Sequence, residues 1–278
     1  RAAARRAGQN NVLYTAHGFH LFDGAPPLNW LLYYPAERLA ARWTDLLIAI
    51  NEEDYRRARA FPLRGAAAYV PGVGVDLETF GGPGARARAP AVREQLGVGP
   101  DEFLVVFPAE LNENKNQGQM LRALRKLKDG GSPIKCVFAG DGRKADEYRQ
   151  LAAQLGLQGE ALFAGYRSDM AALYAAADAA ALLSRREGLP LSVLEAMASE
   201  RPVIGTGVRG IRDLVEDGTT GLIVGVDDVE ATVRALRTLS NNPDMRRRLG
   251  EAGRRKAARY DVKEIRRRMA AIYDQYLR

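Results

Sequence analysis

From residue 102 onward the chain repeats one pattern, a short apolar run closed by Gly, Pro or polar residues and then a helical stretch. The runs are FLVVFPAE (103 to 110), KCVFAGDG (135 to 142), ALFAGYR (161 to 167), DAAALLS (178 to 184), RPVIGTG (201 to 207) and GLIVG (221 to 225). Val, Ile, Leu and Phe in unbroken runs of this length suit parallel strands buried on both faces. Helical patterns at Gln117 to Lys128, Ala145 to Leu155, Met170 to Ala177 and Pro190 to Ser199 fill the gaps. Such alternation predicts an α/β domain with a doubly wound parallel sheet.

Two earlier segments, VLYTAHGFH and DLLIAINEED, read as strands of a different sheet with a helix from Leu28 to Arg42 between them. The Gly/Pro/Ala/Arg-rich stretch Phe80 to Pro90 interrupts the pattern as a linker would. After Asp227 only helices are expected, broken at Asn241 to Pro243 and near Tyr260 and Asp261. No internal repeat is present.

Composition narrows the function classes. The single cysteine, Cys136, lies inside an apolar run, so an internal disulfide is impossible and a buried thiol in a reducing, cytosolic compartment is expected. No stretch approaches the roughly 20 apolar residues that span a bilayer. The net charge of +7 is concentrated in residues 244 to 278, where twelve Arg or Lys face five Asp or Glu. Those arginines interleave with Leu249, Ala252, Ile265, Met269, Ile272 and Tyr276 at helical spacing, which reads as a solvated helix face rather than a nucleic-acid site. Two histidines, one cysteine and no Asp-x-Asp provide no metal-ligand cluster, and no cofactor is expected.

The chemistry concentrates in SRREGLPLSVLEAMAS, residues 184 to 199. A strand ends at Ser184 and a helix can start at Pro190, whose missing N–H has no partner in a first turn anyway. Glu187 then occupies the loop at the carboxyl end of a parallel strand, where open α/β sheets bind ligands. Unpaired amides of Leu191, Ser192 and Val193 would suit a phosphate. Glu195, about one turn in, leans back toward the same place. A carboxylate only accepts hydrogen bonds, so beside a phosphate its natural partner is a pair of neighbouring hydroxyls, as on ribose. Taken alone, two glutamates at this spacing are weak evidence; the strand, proline and helix around them supply the specificity.

The run EGLPLSVLEAMASERPVIGTGVRGIRDLVEDGTTGLIV resembles the signature of family 4 of the retaining GT-B glycosyltransferases, with its Glu-x7-Glu motif. The likeness extends over most of Val12 to Val224: YTAHGFH resembles a first-domain strand ending in histidine, YVPGVGVDLETF the interdomain loop, and PAELNENKN the first loop of the second domain. Within the family, HGFHLFDGAPPLNWLLYYPAERLAARWTD and ELNENKN are most similar to bacterial exopolysaccharide and capsule enzymes. The resemblance implies two Rossmann-like domains, each a parallel sheet flanked by helices. Residues 1–79 would be the C-terminal part of an acceptor-side domain, 80–92 the linker, 93–258 the nucleotide-sugar-binding domain, and 259–278 a helix crossing back to the first domain. Nothing before Val12 matches the strands and glycine-rich loop the family has there, so the first domain is expected to be incomplete.

By the same resemblance the chain would move a sugar from a nucleotide diphosphate sugar, a UDP-sugar first among the candidates, to a polyprenyl-linked or oligosaccharide acceptor. It would do so in the cytoplasm, peripherally at the inner face of the membrane. Glu187 and His17 would act at the donor sugar. Lys115 and the segment Gly188, Leu189, Pro190, Leu191 and Ser192 would take the diphosphate, Glu195 the ribose, and the backbone before Arg167 the base. One departure stands out: the family's arginine five residues before the lysine is Glu110 here, so Arg167, Arg185 or Arg209 is expected to replace it unless Lys115 and the helix amides suffice.

Plainer readings stand beside these. Gly140 to Gly142 and Gly205 to Gly207 fit tight turns, and His20 fits a loop position. Trp30 to Pro35 suits core packing and a membrane interface equally. Among functions, a glycoside hydrolase would aim both carboxylates at one bond about 5 to 9 Å apart and bind no nucleotide. A non-catalytic nucleotide-sugar or polyanion binder is the second rival.

Overall fold

The computed structural model describes residues 1–132 and 134–277. The chain divides into two compact units, Arg1–Gly74 with Tyr260–Arg278, and Val75–Arg259.

The first unit begins with a short helix α1 (Ala2–Arg6), then β1 (Leu13–Ala16), α2 (Pro27–Ala41), β2 (Leu46–Ala49), α3 (Glu52–Ala58) and β3 (Ala66–Tyr69). The strands form a parallel sheet in the order β1-β2-β3. β2 is central and buried along its whole length, which is why it reads as an unbroken apolar run. On one face Leu47 and Ala49 join Ala16, Phe19, Leu21, Ala41, Ala58 and Phe61, with Trp30 and Tyr34 of α2 packed against them. The β3 strand, Ala-Ala-Ala-Tyr, had no apolar run to announce it.

The second unit opens with α4 (Pro83–Gln95), so the stretch expected as a linker over 80–92 is largely helical. Gly82 and Pro83 mark the helix start, with proline at a first position where no N–H is needed. Arg93 explains why the helix is held: its guanidinium donates to the carbonyls of Ala176, Gly99 and Glu102, tying α4 to the base of the sheet. Then follow β4 (Phe103–Pro108), α5 (Gln117–Asp129), β5 (Ile134–Ala139), α6 (Ala145–Gln154), β6 (Ala161–Gly165), α7 (Met170–Ala176), β7 (Ala179–Leu182), α8 (Leu191–Ala198), β8 (Val203–Thr206), α9 (Arg209–Leu214), β9 (Gly221–Val224), α10 (Val229–Asn241) and α11 (Pro243–Ala257).

All six strands are parallel, in the order β6-β5-β4-β7-β8-β9. The six expected strands are thus all present. Leu104, Val105, Val106 and Phe107 of β4 are fully buried, each worth about 1.5–3 kcal/mol relative to exposure. Phe107, Phe138 and Phe163 stack in register across β4, β5 and β6, with centroids 5.6 and 5.0 Å apart. Cys136 is buried and free, and desolvation pushes its thiol well above the usual range.

The last helix, α12 (Val262–Leu277), belongs to the first unit. Its Ile265, Met269, Ile272 and Tyr276 pack with Leu46, Ile48 and Val70 on the sheet face opposite α2. Ile265, Met269, Ile272 and Tyr276 of the basic C-terminal pattern are therefore explained by this contact, while Leu249 and Ala252 lie on α11.

Candidate active site

Strand order in the second unit runs outward in one direction from β4 and in the other from β7, and the carboxyl ends at such a switch point are where open α/β sheets bind ligands. The β4 loop carries Glu110 to Asn116; the β7 loop carries Ser184 to Pro190. They are joined by hydrogen bonds: the Arg185 backbone N–H donates to the Asn114 carbonyl at 2.7 Å, and the Asn114 side-chain Nδ2 donates to the Arg186 carbonyl at 3.0 Å.

Across this junction Lys115 Nζ donates to Glu187 Oε1 at 2.6 Å. Glu187's side chain is only 10% exposed and that of Lys115 24%. The Lys115 N–H is held by Asn112 Oδ1 at 3.0 Å, and Gln117 at the start of α5 donates to the Glu110 carbonyl at 2.8 Å. An ammonium has three donors, so the pair with Glu187 leaves two for an incoming anion.

Glycine makes this arrangement fit. A Cβ on Gly210 would lie 2.3 Å from the Gly188 carbonyl oxygen and 3.0 Å from the Glu187 carbonyl carbon. The second residue of α9 therefore backs directly on the Glu187 loop. Likewise a Cβ on Gly140 would fall 2.1 Å from the Ala109 oxygen and one on Gly142 2.5 Å from the Leu111 oxygen. The Gly140 to Gly142 element, expected as a plain turn, thus includes sites where backbones approach too closely for a side chain, whereas a Cβ on Gly205 would meet the Ile211 side chain at 2.4 Å.

Pro190 caps α8 without a side-chain hydrogen bond. The Val193 N–H donates to the Pro190 carbonyl at 3.2 Å, so of the three amides expected to be unpaired only those of Leu191 and Ser192 lack an acceptor among the described residues. The correction is physical: the first turn tightens and uses one of its own donors.

Glu195 sits in the second turn of α8 facing α7. The Tyr174 hydroxyl lies 2.9 Å from the Ser192 carbonyl and 3.3 Å from Glu195 Oε2. Tyr174 is fully buried, with Phe80 edge-on at 5.9 Å. Burial pushes the Glu195 carboxyl up to about 7, opposed by the Tyr174 hydrogen bond. No sequence signal marked Tyr174, since a tyrosine in an alanine-rich helix reads as packing.

The remaining candidates are placed elsewhere. Arg167, after β6 at the sheet edge, is clasped by both oxygens of Asp169 at 2.8 and 2.7 Å, which holds that carboxyl below the usual range. Beside it Gly165 has φ +63° and Tyr166 is 84% exposed. Arg185 forms a two-point pair with Asp227 at 2.7 Å each, and Asn116, itself left-handed at φ +57°, donates to Asp227 at 3.2 Å. Each arginine is thus engaged by a carboxylate on its own side of the sheet's carboxyl end. Arg209 begins α9. In the first unit His17 follows β1 and is exposed, while His20 stacks on Tyr33 at 4.6 Å. Among the described residues no group of three or more His, Cys, Asp or Glu could hold a metal ion.

Two parallel sheets flanked by helices, with a basic and an acidic side chain paired at the crevice of the six-stranded one, define the class: a GT-B glycosyltransferase. The chain belongs to the group 1 glycosyl transferases, whose family model matches residues 89–256, and is by that membership a nucleotide-sugar-dependent transferase. It is 42% identical over 280 residues to EpsD of Bacillus subtilis, named as a glycosyltransferase, covering all of this chain and 73% of EpsD. It is 28% identical to the Escherichia coli UDP-Gal:alpha-D-GlcNAc-diphosphoundecaprenol alpha-1,3-galactosyltransferase over 249 residues, 85% of this chain and 62% of that enzyme. The crystal structure of Anabaena HepE in complex with UDP and glucose superposes with a TM-score of 0.84 at 23% identity, over 98% of this chain and 74% of that one, which shows the shared fold.

Proposed function

We propose that the chain transfers a hexose, with retention, from a UDP-sugar to a lipid-linked or oligosaccharide acceptor in surface polysaccharide synthesis, at the cytoplasmic face of the membrane. The observation that carries this reading is the 2.6 Å pair of Lys115 and Glu187 at the β4 and β7 crevice.

The remaining two N–H donors of Lys115 and the amides of Leu191 and Ser192 take the diphosphate, with Gly188, Leu189 and Pro190 shaping the approach. Glu187 accepts from donor-sugar hydroxyls, and Glu195, when ionised, accepts from both ribose hydroxyls. Arg167, fixed by Asp169, steadies the loop whose Gly165 backbone and exposed Tyr166 ring receive the base. The acceptor hydroxyl oxygen bonds to the anomeric carbon as the bond from that carbon to the diphosphate breaks, its proton passes to the leaving diphosphate oxygen, and the positive groups stabilise the charge that develops there. Glu187 is a positioning residue, since its carboxylate is engaged by Lys115. His17, exposed after β1 in the first unit, is given a donor-sugar role by the family resemblance alone.

EpsD and the lipid-linked substrate in the name of the Escherichia coli enzyme support an exopolysaccharide role. The test is turnover: labelled UDP- and GDP-sugars are supplied with membrane extract, and label is followed into the organic phase or polymer. Acceptor-dependent release of UDP with label transfer is expected. Binding of UDP without transfer of any sugar would establish a non-catalytic binder instead.

A further inference from the structure

Two non-glycine residues with left-handed backbone touch each other. Asn116, at φ +57°, donates from Nδ2 to Asp227 Oδ1 at 3.2 Å, and Asp227 itself has φ +63°. Asparagine and aspartate bear this conformation better than other side chains, yet it persists only where the surroundings hold it. Asn116 directly follows Lys115. Asp227 lies in the loop after β9, which is the edge strand, two places from β7 and three from β4 in the sheet.

This distant loop nevertheless meets both loops of the donor site. Arg185 of the β7 loop clasps Asp227 at two points, 2.7 Å each, and its Nη2 lies 3.5 Å from Asn116 Oδ1. The guanidinium holds the Asp227 carboxyl below its usual range. Beneath them Gln119 of α5 is buried with its amide engaged at both ends. Its Oε1 accepts from Asn116 Nδ2 at 2.8 Å and from the Asp227 N–H at 2.7 Å, while its Nε2 donates to the Gly225 carbonyl at 3.0 Å and to Thr232 Oγ1 at 2.9 Å. A buried polar network satisfied in this way specifies one arrangement. An exposed ion pair is worth little by itself, but this one is bidentate and rests on that network. The plainer duty of an acid at a helix start, capping α10, falls to the next residue: Asp228 Oδ1 accepts from the Ala231 N–H at 2.8 Å. The Asp227 carboxylate is engaged instead by the residue after Lys115 and by the residue two before Glu187.

We infer that Asp227 is a positioning residue of the donor site, clamping the Lys115 and Glu187 loops at the spacing that brings their side chains to 2.6 Å. The inference rests on the proposed function for what Lys115 binds, and on the geometry of the three loops for what holds Lys115 in place.

Asp227→Gly tests it, since glycine keeps the left-handed backbone without strain and removes only the carboxylate; Asp227→Asn keeps an oxygen facing Arg185. Acetylation of lysines by acetic anhydride, read by mass spectrometry, reports the geometry without any ligand. Lys115 should react about two- to fivefold faster in Asp227→Gly than in wild type, with Asp227→Asn between them. Lys128, paired with Glu160 at the far end of α5, should keep its rate. UDP calorimetry reads the consequence. Asp227→Gly should weaken UDP binding about three- to tenfold, and far less in a Lys115→Ala background, because the effect passes through Lys115. Equal losses in both backgrounds overturn the inference, as does Lys115 reacting at the wild-type rate in Asp227→Gly. Faster acetylation of Lys128 along with Lys115 overturns it too, since that marks general loosening. Faster Lys115 acetylation in a chain whose wild type binds no UDP keeps the positioning role and sinks the donor reading; UDP binding with unchanged Lys115 acetylation does the reverse.

Discussion

Lys115 and Glu187, 72 residues apart in sequence, meet at 2.6 Å where the strand order of the larger sheet reverses. Each is carried by a loop that depends on the other, through the Arg185 N–H on the Asn114 carbonyl and the Asn114 side chain on the Arg186 carbonyl. The ammonium is held in place before any anion arrives, so little side-chain entropy is lost on binding.

Lys115→Ala should raise the dissociation constant for UDP about 10- to 100-fold, the loss of a charge-assisted hydrogen bond worth about 1.5–3 kcal/mol. Glu187→Gln should leave UDP affinity within a few-fold and lower turnover, because Glu187 is assigned to the sugar. Calorimetry and steady-state kinetics separate the two. Equal loss of UDP affinity in both variants would mean that the pair only shapes the loops.

Glu195 links stability to pH. Burial raises its folded carboxyl from the usual 4.5 to about 7. A raised acid stabilises the fold while protonated in both states, and the advantage is lost as pH climbs through the folded value. Wild type should therefore lose up to roughly 3 kcal/mol between about pH 4.5 and 7, and Glu195→Gln should remove that slope in urea titrations. A slope unchanged in the variant would assign it elsewhere.

Tyr174→Phe keeps the ring against Phe80 and deletes the hydroxyl that holds Glu195 down. The carboxyl should move still higher, so UDP affinity measured against pH should rise later in the variant than in wild type. A merely structural tyrosine would leave the midpoint where it is.

Gly210→Ala places a methyl group 2.3 Å from the Gly188 oxygen. The backbone must shift, at a cost of about 1–3 kcal/mol, and UDP binding should weaken with it as the Glu187 loop is displaced. Gly84→Ala, in α4 with nothing within 4 Å, is the control and should stabilise by up to about 1 kcal/mol. Melting temperature and UDP affinity read both.

The six strands of the larger sheet were legible because buried parallel strands must be apolar throughout, and the Glu187 to Glu195 segment because Pro190 announces a helix start. What escaped notice depends on position rather than on residue type. β3 is Ala-rich and lies at a sheet edge, so it carries no apolar run. In α4 only Ala85 and Val92 are buried, too few to show a helical period amid Gly, Pro and Arg. That Lys115 faces Glu187 follows from β4 and β7 being neighbours, a property of strand order. Tyr174 reaches Glu195 through the packing of α7 on α8. The clasping of Arg167 by Asp169 and of Arg185 by Asp227 likewise is a matter of folded geometry that residue spacing does not announce.

Calorimetric titration of UDP into wild type and Glu195→Ala, at pH 8 where the carboxyl is ionised, tests the donor site most directly. A nucleotide-sugar crevice between the β4 and β7 loops requires saturable heat for wild type and at least about a tenfold weaker affinity for the variant. No heat with wild type, or identical binding by Glu195→Ala, would contradict it.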